Sequence, residues 1–208
     1  MIELFTANTP NGKKISIMLE EIGFKYKLTK ININKDEQFT PQFKKISPFS
    51  KTPVIIDHSK NLSIFESGAI LIYLGEKSGK FYDKNKRTLI NQWLMGQVGN
   101  IGPMLGQHHQ FHHYNPGKSK FGEERYFKIS KRLYGELDER LSKSDYIACN
   151  SYTIADIATF PWIARHDWHD IGLKKFSNLS RWYSDISSRE SVKKGYDLLK
   201  KGEEIPKV

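Results

Sequence analysis

The sequence predicts an α/β domain followed by an all-helical one. Three observations carry that expectation. Short apolar runs alternate with helical spacings over the first eighty residues, a polar, Lys-rich stretch from Lys77 to Arg87 breaks the pattern, and beyond it every apolar periodicity is helical. The chain has 208 residues, enough for two domains of modest size, each with its own core. Hydrophobic residues at 38% and aromatics at 12% place it among globular rather than disordered chains.

In order, Ile2–Phe5 is a short apolar run that reads as a strand, and Ile15, Met18, Leu19 and Ile22 fall at i, i+3, i+4 and i+7, a helix with one buried face that ends near Gly23. Leu28–Ile33 is a second strand, interrupted by Lys30. Phe39, Phe43 and Ile46 mark a short helix. Val54-Ile55-Ile56 and Leu62-Ser63-Ile64-Phe65, joined by the turn-rich Asp57-His58-Ser59-Lys60-Asn61, read as a hairpin, and Ile70, Leu71 and Leu74 give the next helix its apolar side. Strands alternating with helices and closing in a hairpin fit a thioredoxin-like sandwich, here bounded at 1–78, with the helical domain at 85–208.

In the second domain, Ile90, Leu94, Val98, Ile101 and Leu105 keep a helical face, while Gly96, Gly99 and Gly102 recur every third residue and Pro103 must kink or end the helix. Each Gly costs about 1 kcal/mol against Ala in a helix, so the three are expected at a close backbone approach. Tyr126, Ile129, Leu133, Leu137 and Leu141 form the next core face, and Arg125, Lys128 and Arg132 share another side. Thr153-Ile154-Ala155-Asp156 has the form of a capping box with Asp in place of Glu, and Tyr152 with Ile157 supplies a hydrophobic staple. Leu179, Trp182, Tyr183 and Ile186 outline a late helix.

Composition narrows the function. A net charge of +10 raises nucleic acid as a partner, but the excess is even: 12 basic against 8 acidic residues in 1–80, and 21 against 15 in 81–208. Basic pairs such as Lys13-Lys14, Lys44-Lys45, Lys174-Lys175 and Lys193-Lys194 are interleaved with acids, which suits a solvated surface better than a nucleic-acid groove. No apolar run approaches the ~18 residues of a membrane span, and the first residues form a strand rather than a leader, so the expected compartment is the cytoplasm. A single Cys149 rules out an internal disulfide framework and a Cys-x-x-Cys pair, so redox chemistry needs a thiol from outside.

Three stretches carry the chemistry. Glu66-Ser67 stands where a strand meets a helix, placing a carboxylate, a hydroxyl and free backbone N–H groups together; a ligand with an ammonium and a carboxylate on one carbon satisfies all of them, and a plain N-cap at Ser67 is the alternative. Thr52-Pro53 precedes a β-branched run, and a cis bond there turns the Thr52 backbone outward to pair with an extended peptide. Thr9-Pro10-Asn11-Gly12 opens the first helix. The Asn11 amide and the Thr9 hydroxyl there either donate to a thiolate held over the helix N-terminus or cap the helix.

These stretches, in this order, resemble the N-terminal domain of a glutathione transferase. The resemblance extends through Gly99, Gly102-Pro103-Met104-Leu105-Gly106-Gln107, Thr153–Asp156 and Trp182, nearly the whole chain, and the Gly-Pro-Met-Leu-Gly-Gln stretch is similar to the nu class related to the yeast nitrogen-regulator prion protein. It implies a homodimer that uses glutathione as substrate or co-substrate, without metal. The expected activity is reduction of small disulfides, with weaker transferase or peroxidase activity toward electrophiles; the rival is a glutathione-binding regulatory protein without turnover. By the same resemblance Asn11 and Thr9 are catalytic, Glu66 and Ser67 hold the γ-glutamyl end, Thr52 and Pro53 meet the cysteinyl backbone, Gln38 faces the glycyl carboxylate, and Arg125 contacts glutathione. Related enzymes carry Arg-Pro where this chain has Arg189-Glu190, so the start of the last helix is expected to differ.

His108-His109 and His112-His113 are the competing constellation, because i, i+4 histidines share a helix face and can chelate zinc. No Cys or acidic residue lies near them in sequence, and relatives of the nu class are His-rich here too, so the resemblance makes them lining on the electrophile side. His166 and His169 have no partner legible in the sequence.

Overall fold

The computed structural model describes residues 1–208 and divides into two compact units, Met1–Tyr82 with Glu190–Glu204, and Asp83–Arg189 with Ile205–Val208. The expected class holds: a thioredoxin-like mixed sheet with helices forms the first unit, and a helical domain forms the second. No helix is long and apolar enough to cross a membrane.

In the first unit, β1 (Ile2–Thr6) runs parallel to β2 (Tyr26–Lys30) and antiparallel to β3 (Val54–Asp57), which pairs with β4 (Leu62–Phe65); the order is β2-β1-β3-β4. Strand β2 begins two residues earlier than the apolar pattern suggested and stops at Lys30, because its side chains are only half-buried at this edge and leave little periodicity to read. α1 (Pro10–Ile22) ends as expected at Gly23, whose left-handed conformation lets its N–H donate to the Leu19 carbonyl. α2 (Pro41–Lys44) is a single turn, and α3 (Ser67–Ser78) follows β4 directly. Leu4, Ile15, Met18, Leu19, Val54, Ile55, Ile70, Leu71 and Leu74 are fully buried and form the core. Asp57 clamps the hairpin to α3: it accepts from Ser59 N–H and Oγ, from Tyr73 Oη at 2.5 Å and from Lys77 Nζ at 2.7 Å.

The segment 190–204 belongs to this first unit, whereas the sequence reading assigned everything from 85 onward to the helical domain. α10 (Glu190–Asp197) lies against α1: Ser16 Oγ donates to the Gly195 carbonyl at 2.6 Å, and a Cβ on Gly195 would come 2.5 Å from Ile17 Cα. Only glycine permits that approach. Lys13 reinforces it, donating to the Tyr196 carbonyl at 2.8 Å and to Glu203 at 2.9 Å.

The second unit contains α4 (Arg87–Gly96), α5 (Gly102–His108), α6 (Lys120–Ser142), α7 (Ile154–Ile163), α8 (His166–His169) and α9 (Ser177–Ser187). Pro103 does not end the helix. A π-helical stretch at Gln97–Ile101 runs straight into α5, so proline sits at the start of a new α ladder, where its missing N–H costs least. The expectation for the three glycines is corrected in part. Gly96 and Gly99 face open space, whereas Gly102 and Gly106, four apart and so on one helix face, lie under the Trp162 ring at 3.3 Å from where a Cβ would sit. The late helix buries Leu179, Trp182, Tyr183 and Ile186 as its spacing predicts.

Candidate functional site

The register gathers the sequence-predicted stretches around Thr9, Thr52 and Glu66 at one end of the sheet. Phe5 pairs with Val54 and Val54 with Phe65, so the end of β1, the start of β3 and the end of β4 are neighbours, and the N-termini of α1 and α3 follow from two of them. Neither helix carries an acidic residue in its first turn; the N-terminus of α1 has no carboxylate in its cap either, whereas the N-cap of α3 is Glu66.

At the first of these ends, Thr9 is the N-cap of α1. Its Oγ accepts from the Gly12 N–H at 3.1 Å, which uses a lone pair and leaves the hydroxyl hydrogen to donate elsewhere. The structure thus includes the capping role, and it is compatible with a second bond. Asn11 is the second residue of the helix and is half-buried. Gly12 holds the loop tight: a Cβ there would lie 2.2 Å from the Ala7 carbonyl oxygen and 2.5 Å from Thr6 Oγ.

The Thr52–Pro53 peptide is cis, as the sequence reading expected, with Pro53 buried. Neither the N–H nor the C=O of Thr52 enters a hydrogen bond within the chain, which leaves both to an extended partner. Glu66 is the N-cap of α3 at φ 65°, ψ 116°, a conformation that costs a non-glycine residue about 1–3 kcal/mol; its exposed side chain makes no capping bond. Ser67 is therefore not the cap. It is the first helical residue, 7% exposed, and its Oγ accepts from Lys14 Nζ at 3.3 Å.

Lys14 is the residue that sequence reasoning missed. Lys13-Lys14 looked like a solvated basic pair, yet both side chains are 2% exposed, whereas Lys44-Lys45, Lys174-Lys175 and Lys193-Lys194 are on the surface. The signal was present in the spacing: Lys14, Met18 and Ile22 fall at i, i+4 and i+8, on the buried face of α1. Burial pushes Lys14 down to about 7, against a smaller upward pull from the Glu66 carboxylate.

The other two predicted residues lie on other elements. Gln38 lies in a 3-10 turn after β2, where its amide nitrogen donates to the Ile33 carbonyl at 3.4 Å. Arg125 is an exposed residue of α6 and belongs to the second unit.

The histidines of the second unit divide into a buried group and a more accessible one: His112 is half-buried and His113 exposed. His108 and His109 are 0% and 3% exposed and turn toward the equally buried His169. His109 Nε2 lies 2.7 Å from His169 Nε2, Tyr134 Oη lies 2.6 Å from His169 Nδ1, and His108 Nε2 meets the His169 carbonyl at 2.9 Å. Burial lowers all three histidines, His109 to about 3, and raises the Tyr134 phenol, so the network is neutral and one proton is shared between two imidazoles. His112 and His113 stack instead on His108 and on Trp168. With His109 and His169 bonded to each other and His108 Nε2 held by a carbonyl, purified untagged protein is expected to carry well under one zinc per chain by elemental analysis; about one zinc per chain would overturn that expectation.

Two family descriptions match the chain, glutathione S-transferase, N-terminal domain, over residues 2–76, and glutathione S-transferase, C-terminal domain, over residues 111–190. This chain belongs to the glutathione S-transferase family. It is 44% identical over 207 residues to the disulfide-bond oxidoreductase YfcG of Escherichia coli, covering 96% of this chain and 95% of that protein. The URE2 protein of Saccharomyces bayanus is 31% identical, over 89% of this chain and 66% of its own length. Among solved structures, a glutathione transferase of Burkholderia graminis, crystallised with two glutathione molecules per subunit, is 38% identical with a TM-score of 0.91, covering 97% of this chain and 89% of that one. The likeness to the nu class read from Gly102–Gln107 stands with these relatives.

Proposed function

We propose that this transferase is a cytoplasmic, homodimeric enzyme that reduces small disulfides with glutathione, with weaker transferase or peroxidase activity. The observation that carries the reading is the sheet end itself, where an unpaired Thr52 backbone, the Glu66 carboxylate, the Ser67 hydroxyl and two helix N-termini converge. An extended tripeptide with an amino-acid head matches that set. Its ammonium goes to Glu66, its carboxylate to Ser67 and the start of α3, its cysteinyl backbone to Thr52 beside Pro53, and its sulfur to the α1 N-terminus near Asn11 and Thr9. Gln38 is the proposed contact for the glycyl end.

The chemistry follows from where thiols are. Cys149 sits in the turn between α6 and α7, its Sγ 3.2 Å from Ser151 Oγ, in the second unit. The attacking sulfur therefore belongs to glutathione. Its thiolate displaces one sulfur of the substrate disulfide, forming a mixed disulfide and releasing one substrate thiolate, which takes a proton; a second glutathione thiolate then attacks the glutathione sulfur of that mixed disulfide, giving glutathione disulfide and the second substrate thiol. Turnover of 2-hydroxyethyl disulfide by glutathione tests the reading. Binding without turnover would favour the rival reading, a regulatory glutathione-binding protein.

Glu66→Ala and Ser67→Ala are each expected to weaken retention on immobilised glutathione. Either change leaves one end of the ligand's zwitterion unpaired, a loss of about 1–3 kcal/mol, or roughly five- to 150-fold in affinity. Unchanged retention by both variants would reduce this corner to a helix start.

A further inference from the structure

The contact between Lys14 and Ser67 does more than fill the core. A hydroxyl has one hydrogen to give and two lone pairs to receive. When the Lys14 ammonium donates to Ser67 Oγ, 3.3 Å away, the hydroxyl hydrogen is left to point toward another acceptor. When Lys14 is neutral, its own lone pair competes for that hydrogen. Resting on the reading of Glu66-Ser67 as the amino-acid-head site, we propose that Lys14 is the positioning residue for the ligand carboxylate: it sets Ser67 as a donor, and binding of the carboxylate fixes a proton on it.

The surroundings fit that role. Lys14 is 2% exposed, and burial holds it near 7, so above neutral pH much of the free protein carries it uncharged. Glu66, at the start of α3, is the carboxylate whose field reaches it. Other charges on the elements around α1 are engaged elsewhere: Lys13 with Glu203 and the Tyr196 ring, Glu20 with Lys194 of α10, Glu3 of β1 with Lys27 and His58, and Asp57 of β3 with Lys77. A ligand ammonium on Glu66 offsets that residue's pull, and the carboxylate at Ser67 becomes the near anion that favours the charged lysine.

S-methylglutathione isolates the effect, because its blocked sulfur cannot release a proton. Calorimetric titration of the full chain in buffers of different ionisation enthalpy is expected to show uptake of close to one proton per ligand near pH 8, with affinity falling severalfold, to about tenfold, from pH 7 to 8.5. Lys14→Met should bind more weakly at pH 7, take up no proton and lose the pH dependence in this range. Lys14→Arg keeps a fixed charge, so it should bind without proton uptake and with a flat pH profile. Thermal melting of each variant confirms that it is folded. Wild-type binding with no proton uptake, or a Lys14→Met variant that retains it, would overturn the role of Lys14 while leaving the glutathione site intact. Absence of binding by wild type at every pH would overturn the site reading, and this inference with it.

Discussion

Asn11→Ala is expected to lower glutathione-dependent disulfide reduction by about 100-fold or more, the range seen when one preorganised donor to a developing or resting anion is removed. The expectation rests on the position. Asn11 is the second residue of α1, at a helix end with no acidic residue in its first turn, held against the preceding loop by Gly12. A thiolate placed over that end is favoured by the helix dipole and by the side-chain amide, and it is the thiolate that reacts. Thr9→Ala is a less clean probe. Its oxygen is already the N-cap, so the variant also loses about 0.5–2 kcal/mol of helix stabilisation. The control is Cys149→Ser, which should retain most activity, because Cys149 lies in the turn between α6 and α7 with its sulfur against Ser151. A dead Cys149→Ser beside an active Asn11→Ala would refute the external-thiol mechanism and make this a single-cysteine enzyme.

The parts of the fold legible in the sequence were those set by local rules. Gly23, the β-branched run after Pro53 and the Thr153–Asp156 box each announce a local geometry, and each is found where the spacing puts it. What the sequence hid depends on contacts made across long separations. Gly195 gives no sign that Ile17 will lie against it, nor Glu203 that it will accept from Lys13 and Asn8, so the return of the last helix to the first unit was unreadable. His169 is similar: its partners Tyr134 and His109 are 35 and 60 positions away. At the candidate site, Glu66, Ser67, Thr52 and Pro53 were visible because a strand end, a helix start and a proline coincide. Lys14 was not, since a lysine is read as solvated unless its place on the apolar stripe is given more weight than its charge.

Asp156→Ala should destabilise the second unit strongly, by about 3–5 kcal/mol, as expected when an anchoring buried carboxylate is deleted from a satisfied network. The side chain is fully buried, and its two oxygens accept four bonds: from Ile147 N–H, Thr153 N–H and Trp182 Nε1, each at 2.9 Å, and from Thr153 Oγ at 3.0 Å. Burial pushes the carboxyl upward while these donors pull it back, so the residue joins α7, the turn before it and α9 through one group. Alanine would strand three buried N–H donors together with the Thr153 hydroxyl. For a chain of this length the loss corresponds to a fall in Tm of roughly 6–20 °C. Thr153→Ala removes one cap and should cost only about 0.5–2 kcal/mol. Asp156→Asn keeps one accepting oxygen but turns an NH2 toward groups that are themselves donors, so it should fall between the two. Equal melting of Asp156→Ala and wild type would mean that water replaces the carboxylate, and that the box directs the chain at 147–156 without holding the helices together.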